Sequence, residues 1–135
     1  MVMKKIEHIG IAVKDIDAAN RLFAKIFGKT PYKSEKVKSE GVVTSFFEIG
    51  DSKIELVAAT TEESPIFKYL EKRRGGMHHV AFAVEDIEKE MTRLKQEGIR
   101  LLNESPKAGA DNKIICFLHP QDTNGVLVEL CQEIK

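Results

Sequence analysis

The sequence lacks an excess of charge of either sign, because 21 basic residues are balanced by 21 acidic ones. A formal net charge of zero gives no electrostatic reason to expect nucleic acid or an anionic membrane as a partner. The sequence also has no apolar run that approaches the length of a membrane span, and no N-terminal stretch long enough for a signal peptide. A small soluble protein of the cytoplasm is the simplest expectation.

Cysteine is scarce as well. The chain has only Cys116 and Cys131, and each lies in an apolar, strand-like run. Such positions favour buried, reduced thiols over a disulfide or a pair of metal ligands. With 135 residues, of which 42% are hydrophobic and 31% charged, the chain has the composition of one globular domain with a single core.

The main feature that the sequence does contain is an internal repeat. Residues 8–16 align without a gap with residues 79–87, at an offset of 79 − 8 = 71, and five of the nine residue types are identical. Residues 53–57 resemble residues 127–131 at an offset of 129 − 55 = 74. The repeat predicts that one structural unit is used twice.

Each repeated strand pattern is followed by a helical one. Asp15 and Asp86 stand where an N-cap is expected, and Gly28 and Gly98 stand where the two helices should end. Ser64, followed by proline, predicts the start of a short connecting helix.

The resulting unit is βαβββ. We expect module one over about residues 4–62, the connecting helix over about 64–74 and module two over about 76–133. Because modules of this size cannot easily bury two separate cores, we predict a single α+β domain over residues 1–135. Its two tandem modules would form a curved mixed sheet around a metal site.

Four residues of the repeat are candidate metal ligands. Strand alternation places Ile9 and Ile11 on the face that packs on the helix, and His8 on the opposite, small-residue face. His79 occupies the matching place in the second copy. Each copy also has a glutamate between two large apolar residues, which is a costly position for an unpaired charge. The predicted set, two imidazoles and two carboxylates, suits a divalent first-row metal and comprises His8, Glu55, His79 and Glu129.

Two further histidines fit structural roles better. His78 lies on the opposite face from His79 by strand parity, so it is not expected to share the metal. His119 precedes Pro120, and a role in capping that turn is favoured over a place near the mouth of the site.

Several segments carry a resemblance to a known family. They are residues 8–16, Gly75–Phe82, Pro106–Ala110 and Phe117–Leu130. Over nearly the whole chain the sequence resembles the vicinal oxygen chelate (glyoxalase/bleomycin resistance/dioxygenase) superfamily, and more narrowly its methylmalonyl-CoA epimerase family. The resemblance implies a homodimeric enzyme that interconverts the (2R) and (2S) forms of an acyl-CoA substrate. It also implies a divalent metal, cobalt first, with manganese, nickel or zinc as alternatives.

The resemblance also implies roles for individual residues. His8, His79 and Glu129 match family metal ligands, and position 55 matches a fourth, which is Gln in some epimerases and Glu in glyoxalases. We expect Glu129 to act as the general base at C2, with Glu55 as candidate for the opposite face. Some epimerases carry a carboxylate where this chain has Thr44. Since a threonine cannot remove a carbon-bound proton, the second base is not assigned by the resemblance.

Lys107 and Lys113 bracket a glycine-containing loop, which we expect to be flexible and to contact the CoA phosphates, although solvated surface lysines are an equally good interpretation. Three alternative functions stay open. Lactoylglutathione lyase (glyoxalase I) uses a similar ligand set. A drug-sequestering binding module generally lacks the metal ligands, and a dioxygenase with two histidines and one carboxylate fits less well because of the second glutamate.

Overall fold

The computed structural model describes residues 3–135, and over this range the chain forms eight strands and three α-helices. The strands are β1 (Met3–Ala12), β2 (Lys33–Val37), β3 (Val42–Ile49), β4 (Ser52–Ala59), β5 (Gly76–Val84), β6 (Lys107–Ala108), β7 (Lys113–Phe117) and β8 (Val128–Glu133). The helices are α1 (Ile16–Phe27), α2 (Pro65–Lys72) and α3 (Ile87–Gln96). None of these helices is long and apolar enough to cross a membrane.

The chain divides into two compact units. One unit is the continuous stretch Ile9–His78, and the other combines the described residues up to His8 with His79–Lys135. In the continuous unit the strand order is β2-β3-β4-β1, and in the other it is β1-β5-β8-β7-β6. Strand β1 therefore contributes residues to both.

The strand pairing is mixed. Strands β5 and β8 run parallel, whereas β2 with β3, β3 with β4, β6 with β7 and β7 with β8 are antiparallel. The α+β class with a mixed sheet is thus confirmed. The predicted module boundaries, about 4–62 and 76–133, stay a prediction.

The predicted helix signals are confirmed. The carboxylate of Asp15 accepts a hydrogen bond from the backbone N–H of Ala18 at 3.0 Å, and Asp86 accepts one from Lys89 at 3.1 Å. Ser64 does the same for Ile66 at 3.1 Å, with proline at the first helical position. These side chains satisfy N–H groups that a helix start leaves without a partner.

The helix termini follow the same signals. Gly28 ends α1 in the left-handed conformation, with φ of 71°, which costs glycine little. Gly98, with φ of 84°, follows Glu97 at the end of α3.

Each unit buries one face of its strands against a helix. In the continuous unit, Ile11 and Val13 pack with Phe23 of α1 around the buried Phe47 and Leu56. In the other unit, Phe82 and Val84 pack with residues of α3 around Leu130; the helical residues are Ile87, Met91 and Leu94. The predicted apolar faces of β1 and β5 are therefore confirmed. Because side chains alternate along a strand, this packing directs the intervening small and polar residues to the opposite face.

Candidate metal centre

Three of the four predicted ligands come together on neighbouring strands of one unit. His8 lies on β1, His79 on β5 and Glu129 on β8, and these strands are adjacent in the order β1-β5-β8. In the parallel pairing of β5 with β8, Glu129 is opposite Ala81, two residues after His79. Residues two apart on a strand share a face, so the register places the glutamate and the imidazole of His79 side by side.

The polar atoms of the three side chains converge. The Nε2 atoms of His8 and His79 are 3.1 Å apart. One carboxylate oxygen of Glu129 lies 3.7 Å from Nε2 of His8, and the other lies 3.5 Å from Nε2 of His79. Within residues 3–135, this trio is the group whose ligand-type atoms all lie within 4.8 Å of one another.

The donor set fits a divalent cation. His8, His79 and Glu129 are 5%, 8% and 5% exposed, so little water reaches them. Two ligands of one ion, each about 2.1 Å from it and at right angles or wider, are roughly 3–4 Å apart. The observed separations of 3.1, 3.5 and 3.7 Å lie in this range. Imidazole and carboxylate donors suit zinc, cobalt, manganese or nickel.

A fourth ionisable residue of this unit was not predicted. Glu7 is only 4% exposed, and its Oε1 lies 3.4 Å from Nδ1 of His8, the ring nitrogen that does not face His79. Strand parity puts adjacent side chains on opposite faces, which is why the pattern gave no reason to link Glu7 with the centre. The available signal was a carboxylate directly before a candidate ligand histidine.

The sheet face that carries the centre extends over two more strands. Phe117 is opposite Glu129 in the register of β7 with β8, and its ring packs edge-on against His79, with centroids 6.2 Å apart. The ammonium of Lys107, on β6, lies 5.8 Å from the centroid of the Phe117 ring. Phe117 therefore contacts both the ring of His79 and the ammonium of Lys107.

The reverse face of the same strands is apolar. Cys116 is fully buried among α3 residues, and burial raises the pKa of its thiol to about 11, with a further contribution from the negative charge of Glu129. Both cysteines are buried thiols, as predicted.

Glu55, the fourth predicted ligand, lies on β4 in the continuous unit. It is 7% exposed and is opposite Phe46 in the register of β3 with β4. Thr44, two residues before Phe46, shares that face, is 2% exposed, and donates its hydroxyl proton to the backbone carbonyl of Glu35 at 3.3 Å. The role of Glu55 as ligand and second base stays a prediction.

The structural roles given to the other histidines agree with their surroundings. The ring of His78 is half-buried and packs edge-on against Tyr69, with centroids 4.9 Å apart. His119 caps the short 3₁₀ turn Pro120–Asp122, where its Nδ1 accepts a hydrogen bond from the backbone N–H of Gln121 at 3.2 Å.

One expectation about the lysines is wrong. Lys113 is 7% exposed, and its ammonium donates to the backbone carbonyl of Asp111 at 3.0 Å. A buried, hydrogen-bonded lysine is not part of a flexible basic surface. Lys107 is partly buried, and its ammonium lies beside Phe117 on the sheet face that carries the centre.

Comparisons with known proteins bear on this site. A family model described as Glyoxalase/Bleomycin resistance protein/Dioxygenase superfamily matches residues 7–117. Ethylmalonyl-CoA/methylmalonyl-CoA epimerase of Cereibacter sphaeroides is 41% identical over 130 residues, which are 95% of this chain and 97% of that protein.

Solved structures agree with the sequence relatives. The crystal structure of methylmalonyl-CoA epimerase from Mycobacterium tuberculosis superposes with a TM-score of 0.95 at 32% identity, covering 99% of this chain and 91% of that one. A methylmalonyl-CoA epimerase in complex with methylmalonyl-CoA and NH4+ superposes with a TM-score of 0.94 at 33% identity, covering 97% and 95%. The glyoxalase-like fold that the resemblance implies is confirmed.

Proposed function

The chain belongs to the glyoxalase/bleomycin resistance protein/dioxygenase superfamily, and on that premise we propose that it is a methylmalonyl-CoA epimerase, which interconverts the (2R) and (2S) forms of methylmalonyl-CoA. The observation that carries the proposal is the convergence of His8, His79 and Glu129 in a chain that is 41% identical to such an epimerase. Glyoxalase I, the alternative with a similar ligand set, has no support in the comparisons reported above, because the named enzymes among them are epimerases.

The reaction requires removal of the proton at C2, a carbon between a thioester and a carboxylate. Glu129 is our candidate for this base. Its carboxylate is 5% exposed, and water that would solvate and weaken a base is largely excluded. The imidazoles of His8 and His79 hold it from two sides. A divalent metal bound by these residues would supply a Lewis acid for the negative charge that develops on the thioester oxygen.

Inversion requires that a proton return to the opposite face of C2. We propose Glu55 for this step, since it is the buried carboxylate at the equivalent position of the other copy. Thr44 is not a candidate, because its hydroxyl is engaged with the carbonyl of Glu35 and is far too weak a base for a carbon acid.

We propose that Lys107 binds the CoA part of the substrate. Its ammonium lies over Phe117 on the sheet face of the centre, where it can attract an anionic group of the substrate. Of the two lysines expected from the sequence to contact CoA phosphates, this proposal retains Lys107.

We further propose a homodimer located in the cytoplasm, with cobalt as the preferred metal. Light scattering of the purified protein measures the first of these directly. A mass of about twice the 15.2 kDa of the chain is expected.

Proton NMR of methylmalonyl-CoA in D₂O tests the reaction. We expect loss of the C2 proton signal and entry of deuterium as the two epimers equilibrate. The methylglyoxal–glutathione adduct, tested in parallel, should not be converted, because glyoxalase I moves a proton between adjacent carbons of that substrate. Efficient formation of lactoylglutathione with inert methylmalonyl-CoA would overturn the function and leave the fold standing.

A further inference from the structure

The burial of Glu7 needs an explanation, because a carboxylate with 4% exposure has lost most of its hydration. It follows three exposed residues of β1, Lys4, Lys5 and Ile6, so the fold does not require an apolar position at this end of the strand. Its contact with Nδ1 of His8 at 3.4 Å supplies a protein partner for the buried charge.

Neutral imidazole carries one proton, and only the other nitrogen has a lone pair. An acceptor beside Nδ1 favours the tautomer with the proton on Nδ1, which leaves the lone pair on Nε2. Nε2 of His8 is the atom that lies 3.1 Å from His79 and 3.7 Å from Glu129. The carboxylate thus lies at Nδ1, where it favours the tautomer whose free lone pair on Nε2 can bind a cation.

We propose that Glu7 is a positioning residue of the metal centre, which fixes the tautomer and ring orientation of His8 so that Nε2 faces the metal. The inference rests on the metal site of the proposed function and adds a residue that the repeat does not supply. The position equivalent to Glu7 in the second copy is 7 + 71 = 78, and His78 packs on Tyr69 instead.

The test uses the full-length protein and two variants at this position. Glu7→Leu removes the acceptor, and Glu7→Gln keeps an oxygen that can accept from Nδ1 but removes the charge. Glu133→Gln is the matched control, because Glu133 is an exposed carboxylate on β8 of the same unit. Circular dichroism and urea unfolding check that each variant is folded.

The first measurement is the ¹⁵N chemical shifts of His8 in the metal-free protein. We expect the Nδ1–H tautomer in the wild type, in Glu7→Gln and in Glu133→Gln, and a mixture of tautomers or mainly Nε2–H in Glu7→Leu. If Glu7→Leu keeps the wild-type tautomer, the inference is overturned. This measurement does not depend on the proposed reaction or on metal binding.

The second measurement is the dissociation constant for Zn²⁺ by titration calorimetry. Loss of the orienting partner should weaken binding by about 10- to 100-fold in Glu7→Leu, with a smaller loss in Glu7→Gln and none in Glu133→Gln. Equal affinities in wild type and Glu7→Leu overturn the inference. If Glu7→Leu does not fold, Glu7→Gln decides, and affinity equal to that of Glu133→Gln counts against the proposal.

The two proposals can fail separately. A wild-type protein that binds no metal contradicts the proposed function, and the tautomer measurement then still decides the role of Glu7. A wild-type protein that binds metal with an affinity indifferent to Glu7 removes only the positioning role.

Discussion

In the first copy of the repeat the ligand histidine follows a buried glutamate, whereas in the second copy it follows a half-buried histidine. Glu7 contacts Nδ1 of His8, but the ring of His78 turns to Tyr69 and leaves His79 packed on Phe117. The two copies therefore keep the candidate ligand histidine but differ in the residue before it. The repeat accounts for the two histidines of the centre, whereas the contacts of the preceding residue differ with local packing.

The largest difference in bound metal and activity is expected between substitutions at two neighbouring positions of β5. His79→Ala removes a candidate ligand and should abolish bound metal and epimerase activity. His78→Ala, its matched control, removes an edge-on contact with Tyr69 and should keep both. Elemental analysis of the purified variants measures the metal, and full metal occupancy in His79→Ala would remove this residue from the centre.

The next comparison is between the two glutamates. Glu129→Gln retains shape and an oxygen ligand but loses the base, so we expect near-normal metal content and a loss of rate of about 10²-fold or more. Glu55→Gln should also slow the reaction, because an amide cannot return the proton to C2. We expect a smaller loss than in Glu129→Gln, since Glu129 is also one of the three converging residues, and a wild-type rate in Glu55→Gln would remove Glu55 as the second base. Single-turnover rates of both variants show which glutamate contributes more to the rate. Equal rates for Glu129→Gln and wild type would place the base elsewhere.

A smaller effect is expected for the two lysines, which should differ in whether their loss changes KM or stability. Lys107→Ala should raise KM for the acyl-CoA several-fold and weaken its dependence on salt, with kcat little changed. Lys113→Ala should instead lower the free energy of unfolding by about 1–3 kcal/mol, because Asp111 loses a buried donor, with KM unchanged. Steady-state kinetics and urea unfolding on both variants separate these effects. An unaltered KM in Lys107→Ala would leave the CoA end unassigned.

The smallest expected effect is on the free energy of unfolding, and it concerns the connections between the last two strands of each copy. Residues 50–51 join β3 to β4, whereas the longer link from β7 to β8 contains a 3₁₀ turn bound by Arg100. Hydrogen bonds from Arg100, first from its side chain and then from its backbone N–H, lower the pKa of Asp122 from 3.8 to about 2.

A carboxyl whose pKa is depressed on folding stabilises the fold above its unfolded pKa. The contribution of Asp122 should thus be complete above about pH 5 and disappear as the pH falls from 4 towards 2. Urea unfolding of wild type and Asp122→Asn should show a difference at pH 6 that vanishes near pH 2. A constant difference over this range would contradict the assigned pKa.

Much of the centre could be predicted because the repeat and strand parity are both visible in the sequence. His8 and His79 follow from the alignment of residues 8–16 with 79–87, and Glu129 follows from its place between large apolar residues. The helix starts at Asp15 and Asp86 follow from capping chemistry, which acts over three residues and needs no tertiary information.

The remaining features depend on tertiary structure. Glu7 reaches His8 although parity assigns them to opposite faces, since a long side chain can bend around its own strand. Lys113 was expected at the surface, but the turn at Asp111 supplies its partner. The parallel pairing of β5 with β8 joins residues about 48 positions apart, as 129 − 81, and no local pattern encodes such a contact.

The division of β1 between two units has a consequence for synthesis of the protein. A nascent chain that grows at about 5–20 residues per second presents His8 several seconds before His79, because His79 is 71 positions further along the chain. During that interval Ile9–His78 can collapse as a continuous unit, while His79 and Glu129, which approach His8 in the folded protein, have not yet left the ribosome. The candidate ligand trio is complete only once Glu129 has emerged, so we expect a metal to bind only after synthesis of nearly the whole chain.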